Sequence, residues 1–305
     1  MEVFRKNKPV NKIRLLFVLC CVVIPVANWI IFYIYPNLNS FKMAFTNRSG
    51  EWSFENFIRF YNELMDSESE LRIAFKNTFL TFGVIVLYFP FQVLVSYFLY
   101  KKVPFYRFYK IVFFIPTILF SLAVGMIFSQ LIGVEGFIAQ GVQKCLKLDY
   151  VPELLTDTRF ANTVVILQML WLGFPGSLII WGGAFARIPE EVLESARVDG
   201  VNWWKEFTRI IVPLVWPTFA LQLIFLFCGI FSASGAVFIL TGGKFGTMTL
   251  SCWIYLQMYY ISGDYTTSNA FNYMSAVGMV LSVVAITISL MVRKITDKFF
   301  NDVEY

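Results

Sequence analysis

Apolar runs close to twenty residues long recur along the chain, and the shorter stretches between them collect the charged side chains. A helix advances about 1.5 Å per residue and the hydrocarbon of a bilayer is about 30 Å thick, so runs of this length have the reach to cross it. Six spans are predicted, over residues 15–35, 77–100, 111–132, 160–186, 213–240 and 269–292, and none contains Asp, Glu, Lys or Arg. The fold class is therefore all-α, a polytopic helical bundle in one transmembrane domain covering 1–305. Pro25, Pro90, Pro116 and Pro175 punctuate the spans. Such breaks mark either ordinary kinks or a cavity where neighbouring groups take up the freed backbone. The first run follows Arg5, Lys6, Lys8, Lys12 and Arg14, as a secretory leader would. It is too long for a leader core and lacks a small-x-small cleavage site, so it is expected to remain as a span.

Composition supports a membrane protein, with 58% hydrophobic and 15% charged residues and a mean hydropathy of +0.65. The net charge of +5 does not imply nucleic acid, because Lys and Arg sit at the ends of apolar runs. Most of them fall in the amino-terminal tail, 101–110, 187–212 and the carboxyl tail. The excess of basic residues on one side predicts that both termini are cytoplasmic. The first opposite-side segment, 36–76, is partly amphipathic through Phe54, Phe57, Ile58, Tyr61 and Leu64. It either lies against the bundle or forms a solvated connector.

With no histidine, a Ser-His-Asp triad, a His-ligated metal and a histidine proton switch are excluded. The cysteines, Cys20, Cys21, Cys145, Cys228 and Cys252, lack metal-ligand spacing and read as small hydrophobes. No metal site and no catalytic residue is predicted. Gly242-Gly243-Lys244-Phe245 lacks the glycine spacing and the Ser/Thr of a nucleotide-binding loop. Ion-driven carriers keep ionisable groups inside the membrane, and these spans have none, so energy is expected from a separate subunit.

The longest cytoplasmic loop, 187–212, carries the strongest pattern. Pro189, Glu190 and Glu191 open a helix that Gly200 stops, with Val192, Leu193, Ala196 and Val198 as a short apolar stripe. Asn202 caps a second helix through Trp203, Trp204, Phe207, Ile210 and Ile211, which Pro213 ends or passes to the next span. Two readings fit this hairpin. Its first helix enters a groove on a partner with Ala196 on the contact face, or the hairpin rests on lipid with Trp203 and Trp204 as anchors.

Glu194-Ser195-Ala196, then Gly200, then Ile210 and Val212-Pro213, at these spacings, resembles the EAA loop of permeases in binding-protein-dependent ABC importers. Ser195 stands where the family usually has alanine, and Val212 where it has leucine. Further stretches resemble the sugar-type permeases similar to the maltose-transporter family. They are Phe54-Glu55-Asn56-Phe57, Phe114-Ile115-Pro116, Trp171-Leu172-Gly173-Phe174-Pro175, Asp199-Gly200 and Leu240-Thr241-Gly242-Gly243. Lys244-Phe245 departs from the glycine and proline that often follow that last motif.

The resemblance implies a type I importer permease (MetI-like) fold in a bacterial cytoplasmic membrane. It also implies a second related permease, an ABC ATPase dimer using ATP and Mg, an extracytoplasmic solute-binding protein and a sugar or oligosaccharide substrate. The chain itself binds no cofactor. Glu194, Ser195, Ala196, Asp199 and Gly200 then couple to the ATPase. The solute path draws on Gln168, Leu172, Gly173, Gly176 and Ser177 in the fourth span, and on Ser232 and Ser234 in the fifth. Small and hydroxyl residues in membrane helices also serve packing, which is the alternative for each of these. The aromatic content, 19%, suits sugar faces but also interfacial belts, to which Trp29, Trp52 and Trp253 are assigned. The competing functions are an ABC permease for a polyamine, phosphate ester or amino acid, and a self-sufficient facilitator.

Overall fold

The computed structural model describes residues 12–147, 149–232, 235–263 and 268–299. Apart from one isolated pairing of extended backbone, Thr46 with Trp52, these residues form helices, turns and loops. They divide into a smaller unit (1–60 and 264–279) and a larger one (61–263 and 280–305).

In the smaller unit, α1 (Lys12–Trp29), a wide π-type turn (Ile30–Ile34) and α2 (Tyr35–Ala44) follow without a break. Together Phe17–Ala44 is long and apolar enough to cross a membrane. The helix outruns the predicted limit at residue 35 because its polar continuation remains compatible with it. Pro36 directly follows the π-type turn, the kind of local widening that accommodates a residue without an N–H inside a helix, and Asn37 Nδ2 donates to the Tyr33 carbonyl at 2.7 Å. No side chain described between Phe17 and Lys42 is buried, so this apolar surface is left for lipid or another chain.

The amphipathic stretch becomes α3 (Glu55–Met65). Asn56, buried, donates to the carbonyls of Ala44 and Thr46, both at 3.0 Å, and Phe57 meets Phe45 with ring centroids 5.0 Å apart. The Phe-Glu-Asn-Phe stretch thus fastens the turn that follows α2.

The larger unit is organised by α4 (Glu70–Tyr100), which packs along α8 (Ala161–Phe185). α4 starts a full seven residues before the predicted span, since Ser69 caps it by accepting from the Arg72 N–H at 3.2 Å and Glu70 occupies its first turn.

The predicted span 111–132 is bent: α5 (Tyr106–Ile118) and α6 (Ser121–Ile132) meet at 111°. Leu119 and Phe120 are extended there, and the Thr117 hydroxyl donates to the Phe114 carbonyl at 2.8 Å, competing with the helical ladder. After α7 (Phe137–Leu146) and α8 come the short helices α9 (Glu190–Val198), α10 (Trp203–Glu206) and α11 (Val212–Leu214).

The span predicted over 213–240 is also interrupted. Trp203–Leu214 and α12 (Trp216–Cys228) cross at 77°, and α12 stops at Gly229 well before α13 (Gly235–Leu240). A helix not foreseen, α14 (Leu250–Gly263), is too short for the apolar-length criterion to detect. The last helix, α15 (Ser268–Phe299), runs beyond residue 292 into charged sequence, where Arg293 and Asp297 pair at 3.7 Å one turn apart. Among the described residues four helices are thus long and apolar enough to cross a membrane, and up to six if each bent pair counts as one span.

Candidate functional site

Every peptide carbonyl at the end of a helix needs a donor, and the end of α9 meets that need by a complete reversal of the chain. The Gly200 N–H donates to the Arg197 carbonyl at 3.1 Å and the Val201 N–H to the Ala196 carbonyl at 3.1 Å. This crossed pair requires a left-handed residue between them, and Gly200 supplies it with φ +68°. At the other end Pro189 precedes the helix as its cap residue, with Glu190 and Glu191 in the positive first turn and Arg197 in the last. Asn202 takes the cap position of the second arm in extended backbone, without a side-chain bond. That arm widens to a π-type turn over Phe207–Ile211 before Pro213, which passes the chain on through Val215 into α12. The predicted helical hairpin is present at the predicted residues.

Its inner surface is apolar. Ile188, Leu193, Phe207, Ile211 and Val215 form one buried cluster with Trp181, Ala184 and Phe185 of α8 and with Phe89, Val93 and Tyr97 of α4. Beside the cluster, both carboxylate oxygens of Glu206 accept from Lys101 Nζ, at 2.7 and 2.9 Å. The Glu206 side chain is only 4% exposed and that of Lys101 23%. Phe98 and Trp203 (5.4 Å) and Tyr97 and Phe207 (5.1 Å) meet as tilted ring pairs across the same junction. The hairpin is therefore fixed to the end of α4 as well as to the helices it joins in sequence.

The outer surface is bare. Glu191, Glu194, Ser195, Val198 and Asp199 are exposed, and Val198 keeps 87% of its surface. Two of the sequence expectations change here. Val198 does not belong to the inner stripe: five residues after Leu193, it is rotated about 140° from it on a helix of 100° per residue. Ala196, three residues after Leu193, is buried against the body of the chain and supports α9 from inside. Trp203 and Trp204 are about half exposed on the flank.

The residues proposed for a solute path fall on different surfaces. Gln168, Leu172 and Gly176 follow one stripe of α8, with Gly173 and Ser177 beside it. Gln168 is buried, and its Oε1 finds no donor among the described residues. Leu172 and Ser177 are half-buried, and the Ser177 hydroxyl donates to the Phe174 carbonyl of its own helix at 2.7 Å. Gly173 and Gly176 are exposed with open space where a Cβ would stand. Ser232 is exposed in the turn after α12, and Ser234 lies outside the described residues.

A second polar constellation was not foreseen. Asn77 Nδ2 donates to the carbonyls of Gly246 (2.7 Å) and Met248 (2.9 Å), and the Thr78 hydroxyl accepts the Leu250 N–H at 2.9 Å. These bonds pin the turn 241–249 to α4 about 35 Å along the helix from Lys101. Thr241 and Thr247 share a hydroxyl bond of 2.6 Å inside that turn. Gly242, Gly243, Phe245 and Gly246 all have positive φ, so the phenylalanine that departs from the familiar motif adopts the backbone the turn demands.

A buried hairpin root, a bare helix face and long apolar helices together define a membrane component with one uncovered helical face. Residues 93–300 match the family of binding-protein-dependent transport system inner membrane components, and the chain belongs to that family. It is a multi-pass membrane protein. It is 25% identical to the multiple sugar-binding transport system permease protein MsmF of Streptococcus mutans, over 91% of this chain and 94% of the relative. It is 27% identical to the maltodextrin transport system permease protein MalC of Streptococcus pneumoniae, over 46% of this chain and 32% of that one. Its fold is similar to a chain of a bacterial alginate ABC transporter solved in complex with an alginate pentasaccharide-bound periplasmic protein. There the TM-score is 0.76 at 21% identity, covering 95% of this chain and 97% of the other.

Proposed function

We propose that the chain is the permease subunit of an ATP-driven importer for a sugar or oligosaccharide, seated in a bacterial cytoplasmic membrane with both termini cytoplasmic. The observation that carries this reading is α9, whose inner face is buried in the spans while its outer face is left bare and acidic. Glu194, Ser195, Val198 and Asp199 enter a cleft on one subunit of an ABC ATPase dimer, and Gly200 and Ala196 hold the shape that allows it. The ATPase binds ATP and Mg; this chain binds no cofactor and hydrolyses no nucleotide. A second, related permease completes the path, and an extracytoplasmic binding protein delivers the solute. Closure of the ATPase dimer favours one conformation of the permease pair, and release favours the other, which is the differential binding that coupling requires.

The carbohydrate assignment is supported by the names of the relatives and by the lack of ionisable residues in the predicted spans, which disfavours strongly ionic cargo. Gln168 is the best-placed residue for a solute hydroxyl, since its buried oxygen is free to accept. Gly200→Asp tests the central claim. The variant should reach the membrane yet lose uptake and co-purification of the ATPase; retention of both by a well-expressed variant overturns the assignment. Labelled maltodextrins, galactooligosaccharides and uronic-acid oligosaccharides, offered to the accompanying binding protein and to proteoliposomes, identify the cargo. Gln168→Ala should raise the half-saturating concentration for that cargo severalfold without detaching the ATPase.

A further inference from the structure

We infer that Lys101 and Glu206 are positioning residues that make α4 move with the hairpin, so that a pull on α9 reaches the turn 241–249. The inference rests on the proposed docking of α9 to an ATPase.

The hairpin is joined covalently to α8 and, through α11, to α12, but α4 has no such link. What ties α4 to it is the side-chain junction at residues 97–101. Within that junction the aromatic contacts and the apolar cluster are non-directional and permit sliding. The ion pair does not: two oxygens grip one ammonium at 2.7 and 2.9 Å in a setting that leaves Glu206 almost no solvent. Separating the two would leave a carboxylate buried without a partner, so the junction moves as a unit. Lys101 also follows the last turn of the 31-residue α4, where unsatisfied carbonyls favour a cation. At its far end the same rod carries Asn77 and Thr78, whose bonds to residues 246, 248 and 250 hold the turn. One helix therefore carries an ion pair to the hairpin at one end and hydrogen bonds to the turn at the other.

The test uses the transporter purified with the subunits that accompany this chain, in nanodiscs. Its native cysteines are replaced by alanine and Lys244→Cys reports on the turn; Lys244 is exposed there. Trapping with ATP and vanadate, which needs no knowledge of the cargo, should change the labelling rate of that cysteine by a membrane-impermeant maleimide at least threefold.

In Lys101→Met/Glu206→Leu, an apolar pair that keeps the packing volume, the ATPase should still co-purify while the change falls below a third of its original size. Lys101→Arg, which preserves the pair, should retain it. A full-sized change in the apolar double variant, no change in the parent, or loss in Lys101→Arg with the ATPase still bound overturns the inference. If the double variant does not accumulate, Glu206→Gln is judged by the same criterion. Gly200→Asp separates the two levels. An ATPase retained by that variant refutes docking itself, whereas an ATPase lost there, with a full change in the double variant, refutes the strut alone.

Discussion

The two ends of α4 are held by opposite kinds of chemistry. At residues 97–101 the helix is joined to the hairpin by an apolar cluster, tilted ring pairs and one ion pair with a buried carboxylate, and the far side of the hairpin is left uncovered. At residues 77 and 78 it is joined to the turn 241–249 by side-chain bonds to main-chain groups, and the turn buries its own threonines. An apolar joint keeps its strength while its surroundings shift, because it does not depend on angle. Hydrogen bonds to main-chain carbonyls fix a single geometry and fail when it is lost. The first end thus combines an angle-tolerant apolar contact with one ion pair that resists separation, beside a free surface, and the second is a fixed point.

That contrast is broken most severely by removing the root of the hairpin. Leu193→Ala deletes the side chain with which α9 enters the cluster, and truncating a buried leucine lowers stability by about 2–5 kcal/mol. Hydrogen exchange should accelerate strongly over residues 190–214 and leave 241–249 unchanged. Faster exchange at both ends would mean that the two regions unfold together and that the contrast is false.

The next effect is at the other end. Asn77→Ala removes the donor to the Gly246 and Met248 carbonyls, at about 0.5–1.5 kcal/mol for each of these part-buried bonds. Exchange should rise in 241–250, with the hairpin and the co-purified ATPase unaffected. Normal protection of that turn in the variant would remove Asn77 as its anchor.

Much of the hairpin was legible beforehand. Its reversal is local: a glycine at the one left-handed position, acidic residues in the first turn and a proline before it suffice to place both arms. Of the six apolar runs, four appear as single helices long and apolar enough to cross hydrocarbon, because length alone decides that reach. The 111° bend at 119–120 was legible only in part: Pro116 marks a break in that run, but the extended backbone three residues later and a hydroxyl competing for a carbonyl are invisible in a hydropathy pattern. The Lys101 to Glu206 pair was not legible. Lys101 looked like one more basic residue at a span end, although a lone acid in the aromatic stretch Trp203-Trp204-Lys205-Glu206-Phe207 was a signal. Asn77 and Thr78 were counted as ordinary residues of a span, since their partners lie about 170 residues away in sequence.

The smallest effect is the most selective. Val198, which the sequence pattern groups with Leu193 and Ala196, lies instead on the exposed face, and with 87% of its surface free it contributes almost nothing to the chain alone. Val198→Ala should leave thermal stability of the isolated chain within about 0.5 kcal/mol, the usual range for surface substitutions. If the valine is buried in the ATPase cleft, the two lost carbons weaken association by about 1.6 kcal/mol, or roughly tenfold. Titration of the purified ATPase against wild-type and variant chains in nanodiscs measures the difference directly. Equal affinities would place Val198 outside the contact and turn the docking face toward Glu190 and Glu194; a loss of stability without a loss of affinity would assign Val198 to the root of the hairpin.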